Sequence, residues 1–190
     1  MRSLATALLA MLVLALVTMV QAGDLKSGLQ PGDELDAFDV EKCGGAVNDG
    51  KDVGTNFCYR CMLGDKPVVM IFARKADASL AKLTSELEEE IEEHEEEKLS
   101  SFVNLLGTDA DALKTQAKDF AAKQKLENVA VVVPQDFENG PETYKISPEA
   151  EYTVIIYRNG KVEANHAFAP GKLDAKGVQA IISDADKMLD

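Results

Sequence analysis

Cys58 and Cys61, in the run Phe57-Cys58-Tyr59-Arg60-Cys61, are the residues of this chain whose type and spacing point most directly to chemistry. A C-x-x-C pair can cycle between dithiol and disulfide, because a thiolate on one molecule attacks a disulfide sulfur on another. Arg60, between the two sulfurs, is a candidate thiolate stabiliser. If the run folds as a single helical turn, one sulfur falls at its N-terminal end, where positive potential also favours the thiolate. The third cysteine, Cys43, leaves three readings open. In the redox reading it is a resolving thiol for the candidate pair. In the structural reading it bonds to Cys58 or Cys61 and pins the segment between them, or the C-x-x-C disulfide simply never turns over. Closing a loop of ~15 residues would stabilise by up to ~3 kcal/mol in the entropic model. In the metal reading the three thiolates are soft ligands for copper(I) or zinc. The two histidines, His94 and His166, have no ligand spacing to the pair, and no histidine follows Cys61, which speaks against c-type haem attachment. No resident cofactor or metal ligand set is implied.

These residues must be held by the elements around them. Pro67 to Ala73 (PVVMIFA) is a short apolar run rich in β-branched residues, the pattern of a buried central strand. Helical spacing follows at once, with Leu80, Leu83, Leu87 and Ile91 on one face. Chemistry can therefore sit before the strand, at Cys58–Cys61, or after it, in the loop Arg74-Lys75-Ala76-Asp77-Ala78-Ser79. Lys75, Asp77 and Ser79 would make a polar site at the C-terminal edge of a sheet, where α/β folds bind ligands. The plainer reading is a capped helix start, with Asp77 or Ser79 near the N-cap. There is no Gly-rich phosphate loop and no serine nucleophile elbow.

Elsewhere, Leu35 to Glu41 reads as a short strand and Cys43 to Gly54 as a Gly- and Asp-rich surface loop. Leu99 to Leu106 and Val129 to Val133 are further strands. Between them Thr108-Asp109 caps a helix whose inner face is Leu113, Ala117, Phe120 and Ala121. Tyr152 to Tyr157 and Val162 to Phe168 form a hairpin through Asn159-Gly160, the strongest short hairpin signal. A last helix runs from about Asp174. Strands alternating with helices build a parallel sheet, the closing hairpin adds antiparallel strands, and crossovers place helices on both faces. The fold class is α/β with a central mixed sheet.

The helix after the central strand carries Ser85 to Lys98 (SELEEEIEEHEEEK). Its i,i+4 glutamate pairs repel, and glutamates near a helix C-terminus oppose the macrodipole, so its last turns should fray in solvent. Carboxylates strung along one helix do not converge on an ion as a loop can, which favours a solvated face over a calcium or basic-partner site. The formal net charge of -13 repels nucleic acid and anionic membranes. Arg2, the apolar stretch from Leu4 to about Val20 and the small-residue site Val20-Gln21-Ala22 read as a secretory signal peptide, residues 1–22. That leaves one domain, 23–190, exported to a periplasmic or extracellular location and free of the membrane after cleavage. Such a compartment allows disulfides to persist.

The element order, the GLQPGDELDAF lead-in, the Gly107-Thr108-Asp109 helix start, PVVMIFA and the hairpin YTVIIYRNGKV together resemble the thioredoxin-like superfamily, nearest its secreted TlpA-like and peroxiredoxin-like branch. The resemblance implies a three-layer fold. It also implies a reactive cysteine at the helix start after the central strand, but Ala76 and Ser79 stand in those places. The family's cis-proline before the hairpin strand has Tyr152 in its place. No catalytic residue carries over, and the C-x-x-C lies displaced upstream. The expectation is an exported thioredoxin-fold protein with a thiol–disulfide oxidoreductase-like role at Cys58–Cys61 and an unidentified protein thiol or disulfide as partner. The alternatives are a non-catalytic binding or scaffold module with structural cysteines, and a Cu(I)- or Zn-binding protein.

Overall fold

A computed structural model describes residues 25–189. The expected signal peptide and its cleavage site therefore lie outside the described residues. No helix among the described residues is long and apolar enough to cross a membrane.

Seven strands form one mixed sheet: β1 (Val40–Gly44), β2 (Asn56–Phe57), β3 (Val68–Ala73), β4 (Ser100–Leu105), β5 (Val129–Pro134), β6 (Tyr152–Arg158) and β7 (Lys161–Phe168), in the order β2-β1-β5-β4-β3-β6-β7. The centre β3-β4-β5 is parallel and wholly apolar along β3 and β5, as expected of strands buried on both faces. β6 joins β3 antiparallel and β1 joins β5 antiparallel, which makes the sheet mixed. Asn159 and Gly160 both take positive φ, 55° and 71°, in the two-residue turn between β6 and β7.

Among the described residues four α-helices join the sheet, α1 (Tyr59–Leu63), α2 (Ala78–Glu93), α3 (Ala110–Gln124) and α4 (Ala175–Leu189), with a short 3-10 turn at Glu142–Tyr144. Leu80, Leu83 and Leu87 of α2, Leu113, Ala117 and Phe120 of α3, and Val178, Ile181 and Ala185 of α4 share one core with Val69, Ile71, Val103, Val131 and Val154 of the sheet. A second core on the other face joins Val68, Met70, Phe102, Val132 and Tyr157 to Tyr59 and Leu63 of α1 and to Leu29, Leu35 and Tyr144 of the connecting segments. Helices thus cover both faces, unevenly, with three long ones on one side and a single turn on the other.

Two boundaries differ from the sequence reading. The first strand begins at Val40 rather than Leu35, and it takes in Cys43 and Gly44, which read as surface loop. The pairing of β1 with β5 shifts register between Lys42 and Gly44, so Cys43 sits at a β-bulge. Gly44 lets α3 approach, since a Cβ there would come within 2.7 Å of Ala121 Cβ. The acidic helix ends at Glu93 with His94 as its C-cap, and Glu95 to Lys98 are turns. Crowded glutamates at a helix C-terminus explain the early stop.

Candidate functional site

The C-x-x-C folds as a single helical turn, with Cys58 at its N-terminal end. Cys58 is the N-cap of α1, with extended backbone dihedrals, and its Sγ accepts a hydrogen bond from the Cys61 N–H at 3.0 Å. Cys58 and Cys61 are joined as a disulfide with a Cα–Cα separation of 5.2 Å. The helical period decides which residues face the protein. Tyr59 and Leu63, four apart, point into the second core and are 3% and 8% exposed. Cys61 falls midway between them, on the opposite side of the turn, and is exposed, while Cys58 is half-buried.

The turn is held from below. Tyr59 stacks on Phe102 at 5.0 Å between ring centroids and packs against Phe57 at 4.5 Å. Its hydroxyl donates to Asp49 Oδ2. Burial, and then that hydrogen bond, push the Tyr59 phenol well above its ordinary pKa, so it stays protonated and donates. Asp49 in turn pairs with Lys42, whose side chain is 2% exposed. Lys42 Nζ donates to Asp49 Oδ1 at 2.6 Å, to the Lys51 carbonyl at 2.8 Å and to the Ala46 carbonyl at 2.9 Å. This buried ammonium ties the Gly- and Asp-rich loop to the C-x-x-C turn, the role that one reading gave to a Cys43 disulfide. Lys42 and Asp49 are missed by motif reasoning. The signal available in the sequence was a lysine two residues after Val40, on the same inward face of a strand.

Cys43 forms no disulfide and is buried. It packs in the core under α2, α3 and α4, whereas Tyr59 anchors the C-x-x-C turn in the core on the other face. Burial, and then Glu41, push its thiol up to about 11, so it is neutral near pH 7. The three sulfurs therefore do not gather as a ligand set for copper or zinc. The Arg60 side chain reaches the β6–β7 turn, where a Cβ on Gly160 would collide with its guanidinium. Its charge is felt by the buried phenols of Tyr144 and Tyr157, partly offsetting the burial that raises both.

After β3, the loop expected to be a helix start is one. Asp77 is the N-cap of α2, its Oδ1 accepting from the Ser79 N–H at 2.9 Å and the Leu80 N–H at 3.3 Å. Tyr152 donates its hydroxyl to the same oxygen at 2.6 Å. Burial works against the Asp77 carboxylate, but the bonds from Tyr152, Leu80, Lys75 and Ser79 outweigh it and hold the carboxyl below its ordinary pKa. Ser79 Oγ is committed to the Leu173 carbonyl at 2.9 Å. A groove of about 940 Å³ opens beside this loop between α2 and α3, with Ala76, Ala81 and Phe120 among its apolar lining and Asp77, Asp111 and Asp119 among its polar lining.

Among the described residues, Glu90, His94 and Asp186 bring potential metal-ligand atoms within 4.8 Å of one another. His94 Nε2 lies 3.7 Å from Glu90 Oε2 and 3.9 Å from Asp186 Oδ1. The third group comes from α4, so the convergence is a tertiary one. The side chains are only part-buried, and the same contacts serve as an ion-pair cluster at the acidic helix end.

No protein-family model matches the chain, and no curated protein matches it. Solved structures do. A thiol:disulfide interchange protein DsbE of Chlorobium tepidum is 19% identical, with a TM-score of 0.56 over 83% of this chain and 99% of that one. The peroxidoxin BcpB of Mycobacterium tuberculosis is 16% identical, with a TM-score of 0.58 over 84% and 98%. AhpC of Mycobacterium tuberculosis is 15% identical, with a TM-score of 0.61 over 85% and 99%. At these identities the likeness speaks to architecture: the chain is built on the thioredoxin-like fold, with its C-x-x-C before the central strand and a carboxylate cap after it.

Proposed function

We propose that this protein exchanges disulfides with protein thiols through the Cys58–Cys61 pair. The observation that carries the reading is a disulfide on a surface turn, with Cys61 an exposed residue and the Cys58 sulfur already hydrogen-bonded by a backbone N–H. A partner thiolate can reach the bond, and the departing sulfur has a donor waiting for its charge. Arg60, the candidate thiolate stabiliser, directs its guanidinium to Gly160 of the β6–β7 turn, so the support for this reading comes from the backbone donor. Cys43, neutral and buried on the other face, acts as a small apolar side chain. A thiol:disulfide interchange protein among the fold neighbours is consistent with this chemistry. The N-terminal apolar run supports export of a 23–190 domain to a periplasmic or extracellular compartment, where such a bond persists.

The test is the redox state of the mature protein, read by thiol alkylation and mass spectrometry across a glutathione series. A Cys58–Cys61 bond that opens above about -250 mV supports exchange, and one that stays closed below about -300 mV makes the pair structural. The second reading is a non-catalytic binding module. It is favoured by the groove between α2 and α3, which occupies the sheet edge where α/β folds take ligands and has no sulfur in it. An inert disulfide in the glutathione series would promote that reading.

A further inference from the structure

We infer that exchange enters at Cys61 and that Cys58 is the sulfur that leaves. This order rests on the exchange reading above and adds to it the identity of the atom that bonds the partner.

Two observations assign the roles. The first is access. Tyr59 and Leu63 anchor the turn in the core, which places Cys61 on its outer side and exposed, while Cys58 sits half-buried at the cap. An attacking thiolate must approach along the S–S axis from beyond the sulfur it bonds, and of the two residues Cys61 is the more exposed. The second is charge. When the bond breaks, the electron pair goes to the sulfur that is not attacked. Cys58 Sγ already accepts the Cys61 N–H at 3.0 Å, whereas among the described residues no donor is aimed at Cys61 Sγ. A hydrogen bond to the charged form lowers the thiol pKa, and a lower-pKa sulfur leaves faster. Access and leaving ability therefore favour the same direction.

The step balances. A partner thiolate bonds to Cys61 Sγ, the Cys58–Cys61 bond breaks, and Cys58 departs as a thiolate. A second thiolate of the same partner then attacks the partner's sulfur in the mixed disulfide, and Cys61 leaves as a thiolate. The partner dithiol has become a disulfide and the pair has gained two electrons. The two protons the partner loses go to solvent and can return to Cys58 and Cys61. Run backwards, Cys61 makes the first bond to a partner disulfide and Cys58 resolves it. The donor to Cys58 is the backbone N–H of Cys61, so Cys58 keeps it when the Cys61 side chain is substituted.

The probe is reduced glutathione acting on the oxidised, unmodified protein. Samples are quenched early with an alkylating agent, and peptide mass spectrometry locates glutathione and alkyl group. Glutathione on Cys61 with alkyl on Cys58, in excess by about tenfold, is expected. Equal labelling, or an excess on Cys58, overturns the order while leaving exchange itself intact. A bond that glutathione does not open at any ratio overturns the exchange reading, and the order with it. Two variants give an independent measurement. Serine is itself a good N-cap, so C58S keeps the cap of the turn, and C61S keeps the backbone N–H that Cys58 accepts. The pH dependence of alkylation should place Cys58 in C61S below Cys61 in C58S, and the reverse ranking also overturns the proposal.

Discussion

The two ends of β3 carry the same local device with different atoms in it. Before the strand, Cys58 caps a one-turn helix and its sulfur accepts the N–H of Cys61. After the strand, Asp77 caps a sixteen-residue helix and its oxygen accepts the N–H groups of Ser79 and Leu80. A carboxylate in that position is a stabiliser of the helix start. A sulfur in that position can also be oxidised, reduced and transferred. The surroundings follow suit. Asp77 is closed over by Tyr152, which stands where the resembling family carries a proline beside its disulfide. Cys61 faces solvent. The resembling family puts reactive sulfur after the strand, whereas this chain has its C-x-x-C before the strand, so under the exchange proposal the same fold would carry its chemistry at the other end.

The comparison can be broken most sharply at the sulfurs. C58S or C61S should bring glutathione-coupled exchange to background, while D77A should leave its rate within about twofold, since Asp77 lies at the far end of β3. A D77A protein with lost exchange, or an active C58S, would mean that the two ends are not independent.

The next effect is on stability. K42M removes the buried ammonium and its three hydrogen bonds, so two carbonyls lose this donor and Asp49 loses its cation, keeping only the Tyr59 hydroxyl and the Lys51 N–H. Breaking a buried pair by removing one partner costs roughly 3–5 kcal/mol, and urea unfolding of the oxidised protein would read it. Because Asp49 also holds Tyr59, the C-x-x-C turn should loosen and open faster in glutathione.

At the other end, D77A should cost about 1–2 kcal/mol for the lost cap. Its pH dependence has a definite sign. A carboxyl whose folded pKa is depressed contributes stability that is present above its ordinary value of about 4 and is lost as pH falls through the lower folded value. The destabilisation by D77A should therefore be full at pH 7 and shrink in acid, as followed by thermal melts across that range.

The smallest effect lies at the acidic helix end. Burial, and next the facing Asp186 carboxylate, raise the Glu90 carboxyl. A raised acid favours the folded state below its ordinary pKa and loses that contribution as pH rises through the folded value. E90Q should therefore stabilise at pH 7 by a few tenths of a kcal/mol, as removal of a like-charge contact does, and not at pH 4.

Much of this was legible in the residues themselves. The apolar runs at Pro67–Ala73 and Val129–Val133 became buried strands, the 3.6-residue spacing of α2, α3 and α4 became their inner faces, and Asn159-Gly160 became the hairpin turn. The absence of sulfur at Ala76 and Ser79 was also visible, since it needed only residue identity and element order. The first strand was placed too early because Leu35, Ala37 and Phe38 share the apolarity of a strand, yet pairing with β5 begins at Val40.

What the sequence by itself determined, then, is whatever rests on near neighbours: periodicity, caps, turns, and the presence of a C-x-x-C ahead of a buried strand. Tertiary structure alone decided which of the three cysteines pair, because Cys43 and Cys58 lie fifteen positions apart on a chain that could fold either side of the sheet toward α1. A bulge at Cys43 settled it by turning that thiol into the core under α3. It likewise decided that Lys42 would be buried and would hold the loop, and that Asp186 would meet Glu90 across two helices. These are contacts between distant segments, and their energies depend on burial and geometry that no local pattern encodes.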